Sequence, residues 1–107
     1  MVRVSVMYPN VPESTFDWDY YLGPHIGLAK RLLLPRGLKR LEVDRGVGAF
    51  PPGAKTHFHA VGHLFFSSLQ EMEKALGATA AEFIEDQRRY YSGESVVQIS
   101  EIVEQPD

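Results

Sequence analysis

The segment 56–66 alternates between two kinds of side chain, and this alternation restricts the chain to folds built around a sheet. One set of alternate positions carries small and apolar residues: Phe58, Ala60, Gly62, Leu64 and Phe66. The other set is mixed: His57, His59, Val61, His63 and Phe65. Successive side chains of a strand point to opposite faces. The segment therefore predicts a strand, and its apolar face needs a covering layer of other elements.

Further strands and helices are expected before and after this strand in the sequence. We expect further strands at residues 2–8, 38–45 and 95–103. A helix capped by Thr15 or Asp17 is expected to run to about Leu34, with an interruption at Gly23-Pro24 because proline removes a backbone donor. Capping-box patterns start at Ser68 and Thr79, which predicts two short helices or one broken helix. Residues 46–55 are expected to form a mobile loop, and Pro106-Asp107 a tail.

The order strand, helix, strand, strand, helix, strand is that of the ferredoxin-like βαββαβ arrangement, an α+β fold. With 107 residues, the chain is expected to form a single domain, 1–107. Both helices of this arrangement cover one face of the sheet and leave the other bare. Since the bare face includes Val61 and Phe65, we expect a second copy to cover it, sheet against sheet, in a homodimer.

Composition excludes several classes of function. The 11 basic and 14 acidic residues are scattered and give a net charge of −3. They form no basic patch, so the sequence does not indicate a nucleic-acid partner. The chain has no cysteine, which excludes disulfides, thiolate metal sites and a cysteine nucleophile. No stretch approaches the roughly 18 apolar residues that a bilayer span needs. We therefore expect no membrane partner and a cytoplasmic location.

A histidine in the middle of an apolar helix stripe is the first candidate for chemistry. At 100° per residue, His25 falls in an arc of about 140° that faces inward. The other members of the stripe are Trp18, Tyr21, Leu22, Leu28, Ala29, Leu32 and Leu33. A buried imidazole needs a hydrogen-bond partner. His25 is thus either a satisfied structural residue or a titratable group kept in a pocket for a purpose.

Three further histidines lie on one face of the strongest strand. His57 and His59 are about 7 Å apart at Cα, and His63 lies about 13 Å beyond His59, so the three cannot share one ion. We predict no metal site, although His57 and His59 alone could take adventitious metal. The chain also lacks a G-x-S-x-G elbow and any phosphate-binding glycine motif. Neither a serine nucleophile nor a cofactor is expected.

General acid/base chemistry is the possibility that remains. Phe83, Asp86 and Tyr90 recur at helical spacing near the end of the second helix, which places Asp86 and Tyr90 on or near its inward face. Asp86 alone is ordinarily a solvated carboxylate. Paired with His25 of the neighbouring helix, it could instead orient the imidazole as a catalytic base, with Tyr90 as a phenol donor.

Four blocks of the sequence together resemble the EthD family, which is named for a protein required in ethyl tert-butyl ether degradation. The blocks are Phe16-Asp17-x-Asp19-Tyr20-Tyr21-x3-His25-x2-Leu28, Gly37-Leu38-Lys39-x2-Glu42-Val43-Asp44-Arg45-Gly46, Val61-Gly62-His63-Leu64-x-Phe66 and Gln98-Ile99-Ser100-Glu101. The resemblance covers about residues 1 to 104. It implies a dimeric α+β barrel with a ligand pocket between helices and sheet, lined by Tyr21, Leu28, Leu64 and Phe83.

Relatives of that barrel include isomerases, cyclases, dehydratases and cofactor-independent oxygenases. A methylmuconolactone methylisomerase is similar in having a histidine at the position of His25. The pair Arg88-Arg89 departs from the Pro-Asn usual in the family, so this end of the pocket is expected to bind a different group, such as an acid.

These observations predict a small catabolic protein that binds a compact oxygenated apolar molecule. His25 would be the acid or base of an isomerase, cyclase or lyase, a reaction class that needs no cofactor. The alternative is a non-catalytic binding dimer that supports an oxygenase pathway. A third possibility is a structural dimer in which Trp18, Phe83 and Leu32 fill the helix–sheet interface and leave no cavity.

Overall fold

Four antiparallel strands form one sheet with the helices on a single face. The computed structural model describes residues 1–104, so the expected tail at Pro106-Asp107 lies outside the described residues. The strands are β1 (Val2–Pro9), β2 (Arg40–Arg45), β3 (Phe58–Phe66) and β4 (Val96–Glu101), in the spatial order β2-β3-β1-β4. This order confirms the α+β, ferredoxin-like fold.

The helix-covered face of the sheet is the apolar face that the alternation predicts. Val4 of β1 pairs with Leu64 of β3, and further along the same strand Tyr8 pairs with Ala60. Ala60 and Phe66 are fully buried. The expected faces of β3 are therefore confirmed, although the strand begins at Phe58 rather than at residue 56.

The first helical segment changes its winding at the expected interruption. It comprises α1 (Trp18–Tyr20), a π-helical turn (Tyr21–His25), α2 (Ile26–Leu33) and a 3₁₀ turn (Leu34–Arg36). Asp17 caps its start by accepting a hydrogen bond from the Tyr20 N–H at 3.1 Å. Pro24 lies inside the π turn, where its missing N–H and ring are accommodated by the wider winding. The extra residue per turn shifts the buried face, and Leu22, expected to face inward, is half exposed.

The second helix is continuous, contrary to the expectation of two short helices or a broken one. α3 runs over Leu69–Gln87, and Ser68 caps it by accepting a hydrogen bond from the Glu71 N–H at 3.1 Å. The second capping pattern, at Thr79, does not start a helix. The Thr79 hydroxyl instead donates to the Ala75 carbonyl one turn earlier, at 2.9 Å, and the residue is buried. This bond satisfies the hydroxyl within an unbroken helix.

Two clusters of buried side chains hold the helices on the sheet. The aliphatic cluster consists of Val2, Val4, Leu33, Leu38, Phe66, Met72 and Ala75. The aromatic cluster consists of Tyr8, Tyr21, Ala60, Tyr90 and Tyr91. Val6 of β1 packs against both clusters, so the first strand links them.

The opposite face of the sheet, here named the open face, has no helix over it within residues 1–104. Strand register assigns twelve residues to it: Arg3, Ser5, Met7, Arg40, Glu42, Asp44, Val61, His63, Phe65, Val96, Gln98 and Ser100. Val61 and Phe65 lie on this face, as expected, but most of its residues are polar. Phe65 is buried there because the Arg40 guanidinium lies 4.1 Å from its ring centre. None of the helices in the described range has the length and apolar character that a bilayer crossing requires.

Candidate functional site

A cavity of about 300 Å³ lies between the helices and the covered face of the sheet. Its walls are aliphatic and aromatic, and they include Val4, Val6, Leu41, Leu64, Phe83 and Val97. Hydroxyl and imidazole groups are gathered in the lining as a polar cluster: Tyr8, Tyr21, His25 and Tyr90. A mostly apolar enclosure with a few converging polar groups is the usual form of a small-molecule site.

A histidine–carboxylate pair lies beside this cavity. His25, at the end of the π turn, places its Nδ1 2.9 Å from Asp86 Oδ2 in the last turn of α3, and both side chains are largely buried. The other carboxylate oxygen accepts a hydrogen bond from the Tyr20 hydroxyl at 2.7 Å. Since an ionised carboxylate only accepts hydrogen bonds, His25 donates through Nδ1. The imidazole therefore turns Nε2 away from Asp86.

Two tyrosine hydroxyls continue the chain from the imidazole into the aromatic cluster. Tyr90 Oη lies 3.3 Å from His25 Nε2 and 2.7 Å from Tyr8 Oη. Tyr90 follows the end of α3, where its backbone carbonyl accepts a hydrogen bond from the Asp17 N–H at 2.8 Å. This backbone bond fixes Tyr90 against the start of the first helix, so the chain Asp86–His25–Tyr90–Tyr8 joins both helices to β1.

Burial keeps the polar groups of the cavity neutral. It lowers the pKa of His25, and the hydrogen bond and charge of Asp86 offset this only in part. Burial likewise raises the pKa of Tyr8, Tyr21 and Tyr90 well above that of a free phenol. His25 is therefore an uncharged imidazole near neutral pH, with its Nε2 lone pair available as a base.

The structure brings most of the predicted site residues together. His25, Asp86 and Tyr90 form the chain described above, and Tyr21, Leu64 and Phe83 line the cavity. Leu28 does not line it, which corrects the expectation for this residue. The π turn rotates α2 so that Ile26 and Ala29 line the cavity instead.

Two tyrosines of the hydrogen-bond chain, Tyr8 and Tyr20, were not predicted. Strand alternation indicates that Tyr8 faces the helices, but the contact between its hydroxyl and Tyr90 joins residues 82 positions apart. That the end of the pocket at Arg88 and Arg89 binds a different group, such as an acid, stays a prediction. Both side chains are more than half exposed and lie outside the cavity lining, beside Glu85 and Asp86 at 3.8 Å.

The strand histidines have separate partners. The His59 Nε2 lies 2.8 Å from the Ser14 hydroxyl, and its ring stacks on Phe16. His63, on the open face, has its Nδ1 3.0 Å from Ser5 Oγ and its Nε2 2.9 Å from Asp44 Oδ2. Among the described residues, no three His, Cys, Asp or Glu side chains converge as metal ligands.

Solved structures with the same fold place the chain among known proteins. An EthD-like protein from Ralstonia eutropha JMP134 superposes with a TM-score of 0.89 at 28% identity, covering 98% of this chain and 94% of that one. An ethyl tert-butyl ether degradation (EthD) family protein from Bacillus halodurans C-125 superposes with a TM-score of 0.75 at 19% identity, covering 96% and 99% of the two chains. No family model and no curated protein sequence matches the chain.

Fold and site together define a small ferredoxin-like α+β protein with an internal cavity beside a histidine–carboxylate pair. Within that class the chain is similar to EthD proteins over nearly its whole length.

Proposed function

We propose that this protein transfers a proton within a compact, oxygenated and largely apolar molecule bound in the cavity, as a cofactor-independent isomerase, cyclase or lyase of catabolism. The observation that carries the proposal is the His25–Asp86 pair, whose carboxylate fixes Nδ1 as a donor and leaves Nε2 as the basic nitrogen. His25 is the proposed catalytic acid/base. Asp86 positions it, and Tyr90 is the proposed phenol partner of the reacting oxygen.

The cavity supports an apolar ligand of modest size. Its volume of about 300 Å³ corresponds to roughly ten non-hydrogen atoms, at about 30 Å³ for a water-sized group. Because the cavity exists, the third possibility raised by the sequence, an interface filled by Trp18, Phe83 and Leu32, is contradicted. No Lys or Arg within the described range lines the cavity, so a buried carboxylate would find no cation to pair with.

A proton transfer at this site needs only the groups already described. A hydrogen on a carbon next to a carbonyl would pass to His25 Nε2, and Asp86 would stabilise the imidazolium that forms. Returning the same proton to another atom of the ligand completes an isomerisation. The Tyr90 hydroxyl oxygen lies 3.3 Å from His25 Nε2. This is a long hydrogen bond, which a bound ligand can displace.

Deuterium exchange tests the proposal without knowledge of the natural substrate. Small neutral enolisable compounds, such as cyclohexanone and a γ-lactone, are incubated with the protein in D₂O and followed by NMR. We expect the wild-type protein to accelerate exchange at the carbon next to the carbonyl, and His25→Gln to bind the same compounds without accelerating it. Binding without exchange by the wild-type protein contradicts a catalytic role and supports the alternative, a non-catalytic binding protein that supports an oxygenase pathway.

We also propose that two copies associate through the open face, as a cytoplasmic homodimer. The charge distribution on that face supports this. Arg3 and Arg40 are level with Phe65 at one end of the strands, whereas Asp44 is level with Val61 nearer the other end. A two-fold axis that reverses the strand direction places the basic end of one copy against the acidic end of the other. Sedimentation at micromolar concentration should give the mass of a dimer, and a monomer would contradict the proposal.

A further inference from the structure

One end of the cavity is closed and polar, and the other end is open and apolar. The polar cluster lies at the closed end, where each of its four residues is less than one-tenth exposed. At the other end, Ile84 of α3 and Val97 of β4 line the cavity and are 65% and 55% exposed. Side chains that face the cavity and the solvent at once mark its mouth. The cavity therefore opens to the surface between α3 and β4.

An apolar groove, here named the exit groove, continues from this mouth along the surface. Its floor is β4, the edge strand of the sheet, in which Val97 pairs with Val6 and Ile99 pairs with Val4. Both β4 residues thus lie on the covered face, yet they are half exposed, because the main contacts of α3 are with α2 and β3. The side chains that form the exit groove are Ala80 and Ile84 of α3 and Val97 and Ile99 of β4.

A hydrogen bond joins the two walls at one end of the exit groove. The Ser95 hydroxyl donates to Gln87 Oε1 at 2.7 Å, which ties the end of α3 to the start of β4. The start of α3 packs in the aliphatic cluster with Val4, the strand partner of Ile99. Helix and strand therefore lie side by side in opposite directions, and a ligand that leaves the cavity is directed away from Gln87 and toward Ile99.

Relying on the function proposed above, we infer that the ligand carries an unbranched alkyl chain that leaves the cavity through the exit groove. The oxygenated part of the ligand lies beside His25, so the proposed proton transfer is unchanged. The alkyl chain covers half-exposed apolar side chains, and removing apolar surface from water is favourable in proportion to its area. The whole ligand is then larger than the roughly ten non-hydrogen atoms that the cavity holds.

The size and charge of the exit groove favour an alkyl chain over a protein partner. Four side chains form the groove, whereas a stable protein–protein interface uses about 20–30 residues on each side. The second copy proposed above packs on the open face, which is the other side of the sheet. Beyond Ile99 the next covered-face residue of β4 is Glu101, which is exposed. An alkyl chain that ended in a carboxylate would meet a like charge there, so we expect an uncharged end.

A homologous series of γ-lactones tests the inference with carbonyl compounds of the kind that the proposed function uses. γ-Valerolactone, γ-octalactone and γ-dodecalactone share one enolisable ring and differ in the length of the alkyl chain. γ-Octalactone has ten non-hydrogen atoms and matches the cavity, so the four further methylenes of γ-dodecalactone must lie outside it. By calorimetry with the wild-type protein, we expect affinity to rise at least about tenfold from γ-octalactone to γ-dodecalactone, or about twofold for each half-buried methylene.

Two pairs of variants locate the alkyl chain. Ala80→Phe fills the exit groove and should abolish the gain in affinity between γ-octalactone and γ-dodecalactone. Ala78→Phe changes an exposed alanine of the same helix outside the cavity lining and should retain the gain. Should Ala80→Phe not fold, Val97→Thr places a hydroxyl against the alkyl chain and should weaken γ-dodecalactone binding at least about threefold. Val96→Thr is its matched control, because Val96 is 50% exposed but lies on the open face, and it should leave this affinity unchanged.

The outcomes separate this inference from the proposed function. An affinity that levels off or falls beyond γ-octalactone overturns the inference and leaves the cavity a ligand site. Equal gains in Ala80→Phe and Ala78→Phe also overturn it, since the alkyl chain then binds elsewhere. Loss of the dimer mass in Ala80→Phe with the gain retained overturns it and assigns the groove to a second copy. The expected dependence on alkyl-chain length without deuterium exchange supports the inference and contradicts the catalytic role, whereas failure of every lactone to bind overturns both proposals.

Discussion

The chain contains two histidine–aspartate pairs with the same distance between the imidazole nitrogen and the carboxylate oxygen. Comparing them tests the effect of burial. His25–Asp86 and His63–Asp44 both measure 2.9 Å, but the Asp86 side chain is 13% exposed and that of Asp44 is 63% exposed. Asp86→Asn and Asp44→Asn preserve shape and remove the charge. We expect these isosteric substitutions to affect the free energy of unfolding very differently.

The magnitudes follow from the two environments. Hydrogen bonds to a charged group contribute about 1.5–3 kcal/mol and neutral ones about 0.5–1.5 kcal/mol, so neutralising the buried acceptor of His25 costs about 1–2 kcal/mol. The two oxygens of Asp86 accept hydrogen bonds from His25 and from Tyr20. In Asp86→Asn an amide NH₂ group replaces one of these oxygens, so its hydrogens face one of the two donors. At the solvent-screened Asp44 the cost should stay below about 0.5 kcal/mol.

Urea and thermal denaturation of the two variants and the wild-type protein measure the difference. For a chain of this length, Asp86→Asn should lower the melting temperature by at least about 4 °C, and Asp44→Asn should leave it almost unchanged. Nitrogen-15 NMR of the imidazoles reports the protonated nitrogen directly, and we expect it to be Nδ1 for His25 in the wild-type protein. Equal losses in the two variants, or Nε2 protonation of wild-type His25, would refute the reasoning from burial.

Three further predictions concern stability. Because burial lowers the folded-state pKa of His25, the contribution of His25 to the free energy of unfolding is intact above about pH 6.5 and is lost as the pH falls below that value. In urea titrations across pH, the free energy of unfolding should fall less steeply with decreasing pH for His25→Gln than for the wild-type protein, and parallel curves would contradict this. Gly62→Ala places a Cβ 2.6 Å from the buried Tyr21 hydroxyl and should cost about 1–3 kcal/mol, which thermal unfolding measures. His59→Asn should cost about 1 kcal/mol through its Ser14 contact, whereas the exposed His57→Asn should have no effect and neither should change metal content.

The sequence predicted the sheet well because its information is local. Alternation along β3 assigns Ala60 and Phe66 to the covered face without knowledge of any partner strand. The helices were predicted less well, since Leu22 and Leu28 were placed with a constant 100° rotation that the π turn around Pro24 does not follow. Thr79 resembles a cap in sequence, and only the helix around it shows that its hydroxyl bonds the preceding turn.

The site was partly predictable for a similar reason. His25 and Asp86 each lie on the inward side of a helix, and two helices on one face of a sheet are neighbours. The contacts of Tyr8 with Tyr90, and of Ser5 with His63 and Asp44, depend on register between distant segments. Periodicity within one segment carries no information about such register.

The division of the interior into aliphatic and aromatic clusters has a consequence for cooperativity. The cavity touches members of both: Val4 belongs to one, and Tyr8, Tyr21 and Tyr90 belong to the other. Val6 packs against both clusters, and the half that contains the hydroxyl chain is the one whose opening admits solvent to His25. An occupant that fills the gap touches both halves at once. Ligand binding would then add to the contact that Val6 makes with both clusters and would strengthen the cooperativity between them.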